Sequence, residues 1–245
     1  AHRRRSLLQG LRLRPELATA ARGVANAGIV CMVEHEAPHK GVAQEYFLSG
    51  GSFAILPITG NRSSLVWTER TKTAKAIMAL NDADFTDELR ARFGDYLGVV
   101  APVGPRWSYP LAFHIAYEFI RPGFAMVGDA AHGIHPIAGQ GLNLGLRDVA
   151  ALAEVLTETR RLGLDFGSLD TLERYQRWRR FDTVALAGVT DGLNRLFSND
   201  LAPVRLARDI GLGVVGKLGP ARRLFMRHAG GGVGDLPRLL RGEAV

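Results

Sequence analysis

Gly128-Asp129-Ala130-Ala131-His132-Gly133-Ile134-His135-Pro136-Ile137-Ala138-Gly139-Gln140-Gly141-Leu142-Asn143-Leu144-Gly145-Leu146-Arg147-Asp148 is the stretch on which the reading of this chain turns. It follows the short apolar run Gly123-Phe124-Ala125-Met126-Val127, which reads as a buried strand running directly into Gly128-Asp129. A Pro/Gly loop comes next, and from Gly141 to about Leu162 apolar residues recur at helical spacing: Leu142, Leu146, Val149, Leu152, Ala153 and Leu156. The pattern is strand, acidic turn, loop and long helix. Small residues at 130, 131, 139, 141 and 145 let backbone approach a ligand closely. The start of the helix offers unpaired N–H groups and a positive dipole end, which suit an anionic or electron-rich ligand. Asp129, at the carboxyl end of the strand, is placed to accept hydrogen bonds from ligand hydroxyls. Taken one at a time, these glycines would serve equally well as ordinary turn and packing residues; it is their joint spacing that points to a ligand.

Upstream, residues 26–36, 42–48, 52–58 and 62–69 are short β-prone runs separated by Gly41, Gly50-Gly51 and Gly60-Asn61, which predicts an antiparallel meander with a hairpin turn at Thr59-Gly60-Asn61. Helices are expected near 72–80 and 84–93, the second capped by Asp84 or Thr86, then an extended stretch from Trp107 to Phe119 interrupted at Pro110. Residues 169–197 and 201–228 read as further helices, the latter interrupted at Gly219-Pro220.

The composition, 47% hydrophobic and 22% charged over 245 residues, is that of a globular chain with a sizeable core. No apolar run reaches the roughly 18–20 residues that span a bilayer, and no secretory leader follows the basic start. The single cysteine, Cys31, lies in an apolar strand and reads as a small buried hydrophobe in a reducing, cytoplasmic setting. The net charge of +7 is concentrated at the ends: residues 1–25 hold six arginines against Glu16, and residues 201–245 hold eight Lys/Arg against three acids, so the middle is mildly acidic. No nucleic-acid recognition motif accompanies the basic residues, so nucleic acid is not expected as a partner. His132 and His135 form an H-x-x-H without the further ligands that zinc requires, so no metal is expected and His135 reads as a packing residue. Trp67, Trp107, Phe53 and Phe113 either belong to the core or line an aromatic pocket. Residues 201–218 set Val204, Ala207, Ile210, Gly211, Val214 and Leu218 on one helical face, away from Arg205, Arg208 and Lys217. Such a helix packs on a neighbouring domain or lies on an anionic membrane surface.

The run from His135 to Asp148 resembles the signature of the ubiquinone-biosynthesis branch of the FAD-dependent aromatic hydroxylases related to para-hydroxybenzoate hydroxylase. Phe53-Ala54-Ile55-Leu56-Pro57, Ser64-Leu65-Val66-Trp67-Thr68, Tyr109-Pro110-Leu111 and residues 234–243 are similar to the substrate-domain strands and carboxyl terminus of that branch. Two departures stand beside the match. The family's strand–Gly-x-Gly-x-x-Gly–helix is not read here, since glycines 211, 213 and 216 fall in a helical stretch without a preceding strand. Of its Ala-Asp-Gly element, Ala1-His2-Arg3-Arg4-Arg5-Ser6 keeps only the ends.

The resemblance implies a mixed α/β (α+β) chain: a partial FAD/NAD(P)-binding flavin-hydroxylase fold with an antiparallel substrate-domain sheet and carboxyl-terminal helices. It divides the chain into a remnant of the FAD-binding domain (1–25), the substrate-domain sheet with two helices (26–112), the strand and helix of the Gly-Asp motif (113–165) and a carboxyl-terminal helical region (166–245). The implied cofactor is FAD, with NAD(P)H as electron donor, and the implied reaction is hydroxylation of a polyprenyl phenol by O2 through a flavin C4a-hydroperoxide. Carried over by motif, Gly128 and Asp129 would face the ribityl chain, and Gly139, Gln140, Gly141, Leu142 and Asn143 the flavin N1 and C2=O. Pro136 would stiffen the loop facing the reacting ring. The resemblance further implies a chain in the cytoplasm or peripheral on the inner face of the membrane, working beside other ubiquinone-biosynthesis proteins. A hydroxylase of a soluble aromatic substrate, or a FAD-free scaffold, are the alternatives that the residues leave open.

Overall fold

The computed structural model describes residues 19–22, 26–111, 113–134, 139–197, 219 and 235–245. They belong to two compact units: one holds the described parts of Val24–Leu111 and Asp191–Gly216, and the other holds β1 (Thr19–Arg22) and the described parts of Ala112–Thr190 and Lys217–Val245.

The first unit is a five-stranded antiparallel sheet covered on one face by two helices. Its strands are β2 (Asn26–His35), β3 (Gln44–Leu48), β4 (Gly51–Ile58), β5 (Arg62–Arg70) and β6 (Val100–Pro110). Alternation decides which face is covered: Ala27, Ile29, Cys31 and Val33 of β2, Phe53 and Ile55 of β4, and Leu65 and Trp67 of β5 all point into one core. Ala74 and Ile77 of α1 (Thr71–Ala79) and Phe85, Leu89 and Phe93 of α2 (Asp82–Phe93) close that core. Each Val, Leu, Ile and Phe among them contributes about 1.5–3 kcal/mol by leaving water. Cys31 is buried among them, and its thiol is pushed up to about 11 by that burial. Phe53 and Trp67 are core residues packed edge to face, whereas Trp107 stands 55% exposed on β6.

The sequence expectations need three corrections here. The sheet order is β3-β4-β5-β2-β6, so only β3, β4 and β5 form the expected meander, and β2 lies between β5 and β6. The hairpin at 59–61 closes as expected, with Ile58 opposite Arg62 and Gly60 at φ +75°. The cap of α2 is Asn81, whose side chain accepts from the Asp84 N–H, rather than Asp84 or Thr86. The extended stretch begins at Val100, seven residues before Trp107, because β2 offers it a partner along nearly its whole length.

The second unit is built on two long helices, α3 (Gly141–Arg161) and, as far as Thr190, α4 (Leu169–Phe197). A three-stranded sheet β1-β7-β10 joins them, with β7 at Phe113–Ala116 and β10 at His132–Gly133. The expected strand over 123–127 is shorter: only β9 (Phe124–Ala125) pairs, in a hairpin with β8 (Ile120–Arg121). Pro122 followed by Gly123 at φ +69° makes the tight turn that forces this pairing. The core of the unit gathers Ala116, Phe119, Ile120, Met126 and Ala131 against Ala151 and Val155 of α3 and Leu172 and Tyr175 of α4. The end of the chain docks on α3: the Arg238 N–H donates to Glu154 Oε2 at 2.7 Å, and Arg161 donates to the Val245 carbonyl at 2.9 Å. The amphipathic stretch expected at 201–218 lies outside the described residues.

The long helix starts at Gly141 as expected, but it buries a different stripe. Leu142, Leu146 and Val149 are more than half exposed, while Leu144, Asp148, Ala151 and Val155 form the inward row. An ionisable residue, Asp148, therefore occupies a core position on this row.

Candidate functional site

The Gly-Asp turn and the amino end of α3 come together in the second unit. Val127 is extended, and Gly128–Ala130 then form a single 3-10 turn that leaves the Asp129 side chain exposed. Gly128 takes φ +55°, a left-handed conformation that glycine adopts without strain. Its Cα lies so close to α3 that a Cβ on Gly145 would stand 3.3 Å from it. The two glycines are thus the contact that lets strand turn and helix touch. The His114 Nε2–H donates to the Asp129 carbonyl at 2.9 Å, which fixes the turn from the β7 side.

Gly139 has φ +59°, and a Cβ on either Gly139 or Gly141 would meet nothing within 4 Å. Gln140 is buried at the N-cap but makes no side-chain cap, and its Oε1 accepts from Asn143 Nδ2 at 3.3 Å. The first turn of α3 carries no acidic residue, unlike α2, where Asn81, Asp82 and Asp84 neutralise the helix start. Arg160 and Arg161 complement the dipole at the far end of α3. Leu142 and Asn143 are exposed at the amino end. Such an end, with no cap from the Gln140 side chain and no acidic residue in its first turn, suits an electron-rich or anionic group. Of the residues singled out in the sequence, Gly128, Asp129, Gly139, Gln140, Gly141, Leu142 and Asn143 are in the described structure. His135 and Pro136 lie outside it.

Beneath this surface lies a buried cluster for which sequence reasoning assigned no role. Asp148, 1% exposed, accepts from the Gly128 N–H at 2.9 Å, from His132 Nε2 at 2.6 Å and from Arg179 Nε at 2.9 Å. Arg179, also 1% exposed, donates in turn to Asp182 Oδ2 at 2.7 Å. Burial works against the Asp148 charge, but the hydrogen bonds from His132, Arg179 and Gly128 outweigh it and hold the carboxyl below the ordinary carboxylate range. Close by, the Tyr175 hydroxyl donates to the Met126 carbonyl at 2.9 Å, and burial together with the Asp148 charge pushes its ionisation far up. The signal for Asp148 was its helical position, four residues after Leu144 and three before Ala151 on the inward row. Arg179, 31 residues away in a run of arginines on α4, gave none.

A family profile described as "FAD binding domain" matches residues 18–181, two-thirds of the chain and all of the site just described except Asp182. This chain belongs to the FAD binding domain family. Over 223 residues it is 54% identical to the ubiquinone hydroxylase UbiL of Rhodospirillum rubrum, an alignment covering 90% of this chain and 52% of that protein. It is 37% identical over 185 residues to 3-demethoxyubiquinol 3-hydroxylase of Escherichia coli, covering 76% of this chain and 47% of that one. The chain thus spans about half the length of the curated relatives it matches. Among solved structures, p-nitrophenol 4-monooxygenase PnpA from Pseudomonas putida shares the fold at a TM-score of 0.68 and 19% identity, over 89% of this chain and 55% of that one. The residues present fit the family's cofactor. The open glycine cradle at 139 and 141 and the close Gly128–Gly145 approach leave room for a flavin at a helix end that the Gln140 side chain does not cap, and Asp129 stands exposed beside it.

Proposed function

We propose that this chain carries the flavin-holding turn and helix of a FAD-dependent monooxygenase. Its reaction is hydroxylation of the aromatic ring of a polyprenyl phenol in ubiquinone biosynthesis, with NAD(P)H as electron donor and O2 as oxidant. The observation that carries this reading is the 54% identity to a ubiquinone hydroxylase in a chain whose Gly-Asp turn and α3 start meet in one unit. Bound FAD supplies the redox chemistry, taking electrons from the nicotinamide and delivering oxygen to the ring.

The protein's own residues then hold and orient. Asp129 accepts hydrogen bonds from the ribityl hydroxyls. Gly128 and Gly139 keep backbone close to the cofactor, and Gln140, Gly141, Leu142 and Asn143 present the positive end of α3 to the N1 and C2=O edge of the flavin. The fixed backbone dipoles at that helix end would stabilise negative charge on a bound flavin without reorganising. Residues 26–112 serve as the substrate-domain sheet. A polyprenyl substrate lives in the bilayer, so the protein works at a membrane surface on its inner face, beside other proteins of the pathway. No helix among the described residues is long and apolar enough to cross a membrane.

The test is reconstitution of the purified chain with FAD, followed by turnover. A bound-flavin band near about 450 nm is expected. With NAD(P)H and O2, a short-chain polyprenyl phenol is expected to yield a product heavier by one oxygen atom. Hydroxylation of soluble phenols alone would move the substrate to that class. A colourless chain that FAD cannot reconstitute would sink the reading in favour of a FAD-free scaffold.

A further inference from the structure

We propose that His132 and Arg179 are positioning residues for FAD, acting through the Asp148 carboxylate to set the Gly128–Asp129 turn against the amino end of α3. The inference rests on the proposed reading that this turn and this helix end hold the cofactor.

Asp148 sits on α3, seven residues past Gly141, which at 1.5 Å per residue is about 10 Å along the axis. Its Oδ2 takes the backbone N–H of Gly128, the residue before Asp129. A helix residue therefore holds the turn directly by hydrogen bond, and the Gly128–Gly145 contact adds a second tie one turn nearer the helix start. The two halves of the flavin site can shift relative to each other only if that carboxylate shifts. What stops it is the pair of further donors: His132 Nε2 from β10 on the same Oδ2, and Arg179 Nε from α4 on Oδ1. Arg179 is anchored by Asp182. The carboxylate is held from three sides, so its direction, and with it the Gly128 N–H, is fixed.

The composition of the cluster argues for geometry over stability. Apolar side chains of the same volume would fill this position without the desolvation of two charges. The cluster moreover leaves buried atoms unsatisfied: among the described residues His132 Nδ1 and Arg179 Nη2 have no hydrogen-bond partner. Directional bonds supply what apolar packing does not, a single orientation of one backbone amide.

FAD titration of the full 245-residue chain, followed by flavin fluorescence quenching, tests the proposal, with thermal melts of the FAD-free proteins run alongside. His132→Leu, which removes the donor, is expected to raise the FAD dissociation constant by about tenfold or more and to shift the bound-flavin band towards that of free FAD. His132→Gln keeps an N–H donor on a side chain of similar reach, and is expected to restore affinity to within about threefold of wild type. Equal FAD affinity in His132→Leu and wild type overturns the proposal, whatever happens to the melting temperature. So does a Gln variant no better than Leu. If His132→Leu does not fold, Arg179→Lys replaces it, keeping the charge and losing the fork, with the same expected weakening. FAD affinity equal to wild type in that variant, or loss of folded protein in both, makes the cluster a stability element and overturns the proposal. A wild-type chain that takes up no FAD overturns the reading of the site and this inference together, whereas a wild type that binds beside variants that bind equally overturns the inference alone.

Discussion

Arg179 and Asp148 meet through Nε and Oδ1 at 2.9 Å, with both side chains 1% exposed. Pairs this deep do little for net stability against an apolar replacement, but they are costly to break from one side. Replacing Arg179 with Met should therefore destabilise the protein by about 3–5 kcal/mol, because it strands a buried carboxylate. Adding Asp148→Leu to the same chain should recover part of the loss. Urea titrations of the two single variants and the double variant measure the coupling, and strictly additive effects would contradict it.

The same carboxylate ties stability to pH. Its folded value is depressed below the ordinary 3.8, so its contribution is complete above that value and is lost as pH falls through the folded one. The gap in urea midpoint between wild type and Asp148→Asn should be widest near neutrality and should shrink as pH falls below 3.8. A gap that stays constant down to about pH 2 would contradict the assignment.

Gly145 is required by what it faces. Substitutions in a helix normally favour any residue with a side chain over glycine, by up to about 1 kcal/mol. Here an added Cβ would press on the Gly128 backbone at 3.3 Å, and that backbone is pinned by Asp148. Gly145→Val should cost about 1–3 kcal/mol by overpacking, measured as a lower melting temperature. Gly188, whose Cβ would meet nothing within 4 Å, is the control: Gly188→Ala should be neutral or stabilising.

Cys31 should be unreactive while the first unit is folded. Its thiol is buried in the sheet core and pushed up to about 11, two pH units above its ordinary value of 9.0. That shift alone leaves about a hundredfold fewer thiolates near neutrality. Mass spectrometry after iodoacetamide treatment should show modification only once urea has unfolded the unit. Rapid labelling of the native protein would show that the strand is not held as described.

Local chemistry made much of this protein legible in its sequence. Gly60-Asn61 between two alternating runs fixed a hairpin, the glycines from 139 to 145 marked the start of the long helix, and Asp129 stood out as an acid after an apolar strand. Each of these depends on a few neighbouring residues: a backbone angle that only glycine adopts freely, or an alternation that makes one face apolar. The motif from 128 to 148 likewise pointed to a flavin family, and the match over residues 18–181 bears it out.

Only the tertiary structure decided which partners those elements take. Antiparallel alternation is the same whether β2 pairs with β3 or with β5, so the order β3-β4-β5-β2-β6 rests on long-range packing. Helical periodicity showed that α3 has apolar residues, but two stripes competed. The stripe that buries is Leu144, Asp148, Ala151 and Val155, because a charge can enter a core only where donors from elsewhere in the chain meet it. Those donors, the Gly128 N–H, His132 and Arg179, are 20, 16 and 31 residues away. Sequence alone offered the candidate flavin-facing residues; the fold supplied the buried carboxylate that ties the Gly128 turn to α3.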